Sequence, residues 1–194
     1  MTAPSPEWKP LAIFRPQGSF ILTNRLYRWV FAIDVDPEKT ADWVGLRPGM
    51  EVLELGPGPG YYTATIARRV DPGTVHAVEL QQEMVDRLEA KTRAAGVTNL
   101  STYCADAAGL PLKDESIDVI WALYVLEEVR DLRTVARELH RVLRPGGELA
   151  IAQFRLDFKQ QQKEAMRRVL PECGFSQVLE RDTLRNYRAK YRKV

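Results

Sequence analysis

Glu54, Glu79 and Asp106 each lie at or near the end of an apolar run that reads as a β-strand, so three carboxylates gather where successive strands stop. Glu79 stands nineteen residues beyond Gly60, a spacing at which a carboxylate can accept both hydroxyls of a ribose. Asp106 can accept from an exocyclic adenine amine, while the amide of Ala107 donates to a ring nitrogen. Gly56, Gly58 and Gly60 alternate in VLELGPGPG, residues 52–60, where they let the backbone approach a bound cofactor closely, and Pro57 and Pro59 stiffen the turn. A negative charge at Glu54 would be wasted in a phosphate cradle, and no Walker lysine follows the glycines. The turn therefore calls for a cofactor with a cationic part. Cys104 and Cys173 lie far apart, and the only histidines are His76 and His140. Neither a disulfide framework nor a metal site is expected.

The elements around these residues alternate strand and helix. The first strand (52–55) leads through the glycine turn to a helix from Tyr62 to Val70. Strands are expected at 74–80, 100–106, 117–124 and 148–154, with helices over 83–95 and 131–143, the latter stopped by Pro145, Gly146 and Gly147. The near-continuous apolar run at 117–124 is that of a parallel strand covered on both faces. Asp36 and Pro37 open a further helix, and another spans 159–170. The last residues, SQVLERDTL and RNYRAKYRKV, read as two strands with no helix between them, an antiparallel pair. The fold class is α/β: one doubly wound Rossmann-like domain with a mostly parallel sheet.

At this level the chain resembles the class I, seven-stranded S-adenosylmethionine-dependent methyltransferases. The resemblance rests on VLELGPGPG, on Glu79 in AVEL, on CADAAGLP (104–111), on SIDVIWALYVLEEVRD (116–131) and on LRPGGELAI (143–151), in the expected order. It implies a seven-stranded sheet whose last strand is inserted antiparallel, with N-terminal lid helices. It also implies that Gly56, Gly58 and Gly60 pass under the methionyl part of S-adenosylmethionine, that Glu79 with Leu80 meets the ribose end, and that Asp106 with Ala107 binds adenine. Glu54 joins them as a donor-site acid, and S-adenosylhomocysteine is the expected product. A nicotinamide dehydrogenase would want GxGxxG, and the third of those glycines is here the bulky Tyr61.

One departure concerns the acceptor. Many small-molecule members carry a His-His or His-Trp pair after the fourth strand, where this chain has Glu127 and Glu128, preceded by Tyr124. Tyr124, Glu127 and Tyr27 are the candidate catalytic groups, suited to an ammonium developing on an amine acceptor. Residues 1–35 are expected to form a proline-rich arm and an amphipathic lid helix, and 36–194 the methyltransferase domain. Phe20, Leu22, Trp29 and Phe31, with Arg25 and Arg28 between them in the stretch 19–33, suit an anionic membrane surface. No stretch is long and apolar enough to span a bilayer, so the expected location is the cytoplasm, peripheral to the inner face of the membrane. These features resemble the small bacterial phospholipid N-methyltransferases, which implies the amine of phosphatidylethanolamine as acceptor. Two alternatives stand beside it. One is C-methylation of a quinone-like or other hydrophobic molecule; the other is an RNA-binding methyltransferase using the basic stretch Arg181 to Lys193 with Tyr187 and Tyr191 interleaved. WALY replaces the NPPY-type motif of DNA amine methylation, so DNA is not an expected partner.

Overall fold

A computed structural model describes residues 36–154, 160–183 and 186–194. Tyr27, Trp29 and the whole stretch 19–33 lie outside them. The described chain forms a seven-stranded sheet in the order β3-β2-β1-β4-β5-β7-β6. Its strands are β1 (Val52–Leu55), β2 (Val75–Glu79), β3 (Leu100–Cys104), β4 (Ile117–Leu123), β5 (Leu143–Phe154), β6 (Phe175–Asp182) and β7 (Asn186–Lys193). The first five run parallel, and β7 pairs antiparallel with both β5 and β6. The expected fold is thus found, inserted last strand included.

The helices follow from local signals. In α1 (Pro37–Val44), Asp36 caps the start by accepting from the amides of Glu38 and Lys39 at 2.9 and 3.2 Å. Two short crossovers follow, α2 (Thr63–Val70) and α3 (Gln82–Ala94). The start of α4 (Leu132–Val142) is capped by Asp131, and α5 (Gln160–Glu172) precedes the hairpin. Residues of α1 and α2 cover one face of the sheet around Trp121, while α4 and α5 cover the other around Leu149 and Ile151. Each face is therefore dry, as the apolar β4 run demands.

Most boundaries shift by one or two residues, and the largest departure from expectation is the start of β5. β5 begins at Leu143, directly after α4, because that fully buried leucine already pairs with Ile117. The register then shifts, so that Val119 meets Glu148, and Pro145 to Gly147 form an irregularity inside the strand instead of a turn before it. A Cβ at Gly147 would lie 2.9 Å from the Asp118 carbonyl oxygen, so only glycine allows this approach.

The chain runs outward from β1 to β3 and then returns to the other side of β1 at β4. That reversal opens a crevice at the carboxyl ends of the strands, where ligands of such sheets bind.

Candidate active site

The crevice is a cleft of about 180 Å³. Its walls come from the turn after β1, the ends of β2, β3 and β4, and the 3-10 turn Leu126–Glu128 that follows β4.

In the first wall the three glycines do different things. A Cβ at Gly56 would strike Val125 Cγ2 at 2.5 Å, and one at Gly60 would strike Leu88 Cδ1 at 2.5 Å, so these two let neighbouring elements close in. Gly58, at φ +53°, has nothing within 4 Å of the same position, which leaves an open cradle over the cleft. Gly60 itself is not part of the lining.

Glu79 is fixed by the adjoining backbone. Its Oε2 accepts from the Gly58 amide at 3.1 Å and its Oε1 from the Gln81 amide at 3.1 Å. A carboxylate has about four lone-pair sites, so both oxygens keep capacity for hydroxyl donors from the cleft. Asp106, exposed, accepts from the Ala108 amide at 2.9 Å and stands between Ala105 and Ala107 in the lining. Leu80 shares that wall and is 47% exposed, leaving apolar area for a flat ligand to cover.

Glu54 is the buried member, 2% exposed, with no hydrogen-bond partner for Oε2. Burial pushes its carboxyl up to about 7, against the weaker opposing pull of the Thr63 hydroxyl and the Lys91 charge. A buried acid at the cleft wall without full compensation is a place where a cationic ligand group is welcome. The open cradle at Gly58, the fixed Glu79 and the under-compensated Glu54 together fit S-adenosylmethionine.

The other half of the cleft is aromatic. Tyr62 packs 5.2 Å from Trp121 between ring centres, and Tyr61 meets Tyr62 edge-on at 4.8 Å. Tyr124, Leu123, Val125 and Val129 continue this wall. Tyr124 ends β4 in a left-handed conformation, φ +61°, with its amide donating to the Ala152 carbonyl at 2.8 Å. For a tyrosine this conformation is strained by about 1–3 kcal/mol, and such strain gathers at sites of function. It turns the chain sharply into Leu126–Glu128.

That turn separates the two glutamates. Glu127 is 6% exposed and lies outside the cleft lining, and its backbone carbonyl accepts from Gln162 Nε2 of α5 at 3.5 Å. Glu128 lines the cleft instead, exposed at its mouth, and Arg130 lines it two residues on. Of the sequence candidates, then, Glu54, Gly56, Gly58, Glu79, Leu80, Asp106, Ala107 and Tyr124 are brought together; Gly60 and Glu127 stand behind the lining. Tyr61, Tyr62, Trp121, Glu128 and Arg130 also line it. Trp121 carried no local signal because it sits within an unbroken apolar strand, whereas the Glu pair did, its two members being separable only by the direction of the turn.

Residues 53–151 match the family described as methyltransferase domain. The ubiquinone/menaquinone biosynthesis C-methyltransferase UbiE of Shewanella sp. (strain W3-18-1) is 36% identical over 138 residues, which cover 70% of this chain and 53% of that protein. The chain thus spans about half the length of the curated relatives it matches. A SAM-dependent methyltransferase from Aquifex aeolicus superposes with a TM-score of 0.80 at 24% identity, over 93% of this chain and 100% of the other. One from Mesorhizobium loti gives 0.68 at 16% identity, over 83% and 100%. At these identities the solved structures speak for the fold.

Proposed function

The chain belongs to the S-adenosylmethionine-dependent methyltransferases, and from that premise we propose that it methylates a ring carbon of a hydrophobic, quinol-like hydroxyarene. The observation that carries this reading is the aromatic half of the cleft, where the mutually tilted rings of Tyr61, Tyr62 and Trp121 form a wall beside the donor half. The name of the UbiE relatives supports the same class of acceptor.

When bound, S-adenosylmethionine supplies an electrophilic methyl group on a sulfonium. Gly56 and Gly58 would lie under its methionyl part, Glu79 with Leu80 at the ribose, Asp106 with Ala107 at the adenine, and Glu54 near positive charge. Tyr124, held by its backbone at the end of β4, would border the acceptor and exclude water from it. A ring acceptor pressed between rigid walls gains chiefly from positioning. Deprotonation of its hydroxyl is the one step that asks for a titrating side chain.

The amine of phosphatidylethanolamine is the competing acceptor, and the segment that favours it, 19–33, lies outside the described residues. RNA gains less support, because Tyr187 and Tyr191 are 0% exposed and cannot stack on bases. Among the described residues no helix is long and apolar enough to cross a membrane.

The test is a methyl-transfer assay with labelled donor, offering a 2-alkyl-1,4-dihydroxynaphthalene kept reduced in one arm and phosphatidylethanolamine vesicles in the other. Label in the ring product is expected. Label confined to the lipid would overturn the reading.

A further inference from the structure

Five charged side chains line the cleft: Glu54, Glu79, Asp106, Glu128 and Arg130. Glu79 and Asp106 are held by backbone amides, and Glu54 is buried at the donor wall. Among the described residues, neither the Glu128 carboxylate nor the Arg130 guanidinium makes a hydrogen bond or ion pair, and Arg130 is the lining's only cation. Val129 between them has an open, non-helical backbone, φ −68° and ψ 143°, and both flanking side chains line the cleft. The two uncommitted charges therefore share one cleft with Tyr124 and the aromatic wall.

We infer that Glu128 is the general base for the acceptor hydroxyl and that Arg130 holds the oxyanion this produces, an inference that rests on the hydroxyarene reading above. An acid and a base of opposite charge on one short segment suit an acceptor that must lose a proton and keep the electron pair. The O–H bond breaks, its proton passes to a Glu128 oxygen, and the pair stays on the ring oxygen beside the guanidinium. Delocalisation makes the neighbouring ring carbon nucleophilic. There the new C–C bond forms as the donor C–S bond breaks, leaving a thioether; that carbon then gives its hydrogen to water as a proton, and Glu128 returns its own to the oxygen. One proton is released per methyl transferred.

The surroundings of Glu128 favour a base stronger than an ordinary carboxylate. Partial burial raises its pKa, and the Glu79 charge raises it further. The other titratable or charged groups facing the cleft are Glu54, Asp106, Tyr61, Tyr62, Tyr124 and Arg130. A base must be ionised to act, so the rate should climb with pH through a limb displaced above the usual carboxylate range and level off beyond it.

The experiment compares the wild-type chain with Glu128→Gln, Glu128→Asp and Arg130→Gln, using the reduced 2-alkyl-1,4-dihydroxynaphthalene as acceptor and calorimetry with S-adenosylhomocysteine as a check on the donor site. Glu128→Gln should lower kcat by roughly 100-fold or more and flatten the pH limb, with Glu128→Asp recovering part of both. Arg130→Gln should raise the acceptor KM by roughly tenfold while donor binding stays in place. Wild-type rate and pH limb retained in Glu128→Gln would overturn this inference alone. A wild-type chain that ignores the dihydroxynaphthalene but methylates phosphatidylethanolamine would overturn the acceptor reading and this inference with it.

Discussion

Gly58 and Gly60 share one turn and one left-handed backbone, yet a methyl group added to each would meet different things. At Gly60 it would strike Leu88, which is 0% exposed and has no room to yield. Gly60→Ala should therefore cost about 2–4 kcal/mol in urea unfolding, from left-handed strain plus overpacking. Gly58→Ala carries only the strain, about 1–2 kcal/mol, but fills the cradle, and calorimetry with S-adenosylhomocysteine should show the larger loss there. Glu54 makes a prediction in pH. Its folded pKa of about 7 lies above the ordinary 4.5, so the native state holds a proton that the unfolded chain releases earlier. Without donor, stability should fall as pH rises from about 4.5 through about 7, by on the order of 3 kcal/mol in total. Glu54→Gln should flatten that slope in thermal melts and weaken donor binding; an unchanged slope would assign the pH dependence elsewhere.

At the scale of elements, α4 shows how little of the helical content depends on the site. Leu132, Val135, Leu139 and Val142 recur on one face and are buried against β4 and β5, and Asp131 caps the start through the amides of Arg133 and Thr134. Leu139→Ala should cost about 2–5 kcal/mol by leaving a cavity, with donor affinity intact because no residue of this helix lines the cleft. Such helices were legible from periodicity and caps. The start of β5 was not, because Pro145, Gly146 and Gly147 spell a turn, and only the pairing of Leu143 with Ile117 across the sheet draws them into the strand. The 3-10 turn after β4 was equally hidden. Its direction is set by the left-handed Tyr124, a conformation that tertiary packing imposes against the residue's own preference.

For the whole molecule, the strand order places the reversal between β1 and β4, and Glu54, Glu79 and Asp106 reach the cleft because each stands at or near a carboxyl end close to that reversal. The C-terminal hairpin completes the sheet without entering the site. Its basic side chains are taken up locally, Lys190 and Arg192 by Glu148 and Lys193 by Glu115, while its tyrosines fill the core. A charge run that suggested an anionic partner thus serves in large part in ion pairs within the sheet. The sequence by itself determined the alternation of strand and helix, the glycine turn and the acids at the strand ends, because periodicity, left-handed turns and strand termini are local properties. Only the tertiary structure decided which member of the Glu127–Glu128 pair faces the cleft, that Trp121 and Tyr62 form its aromatic wall, and that Arg130 lines it together with Glu128. Those facts depend on how separate strands and one strained turn converge, and no local pattern records that convergence.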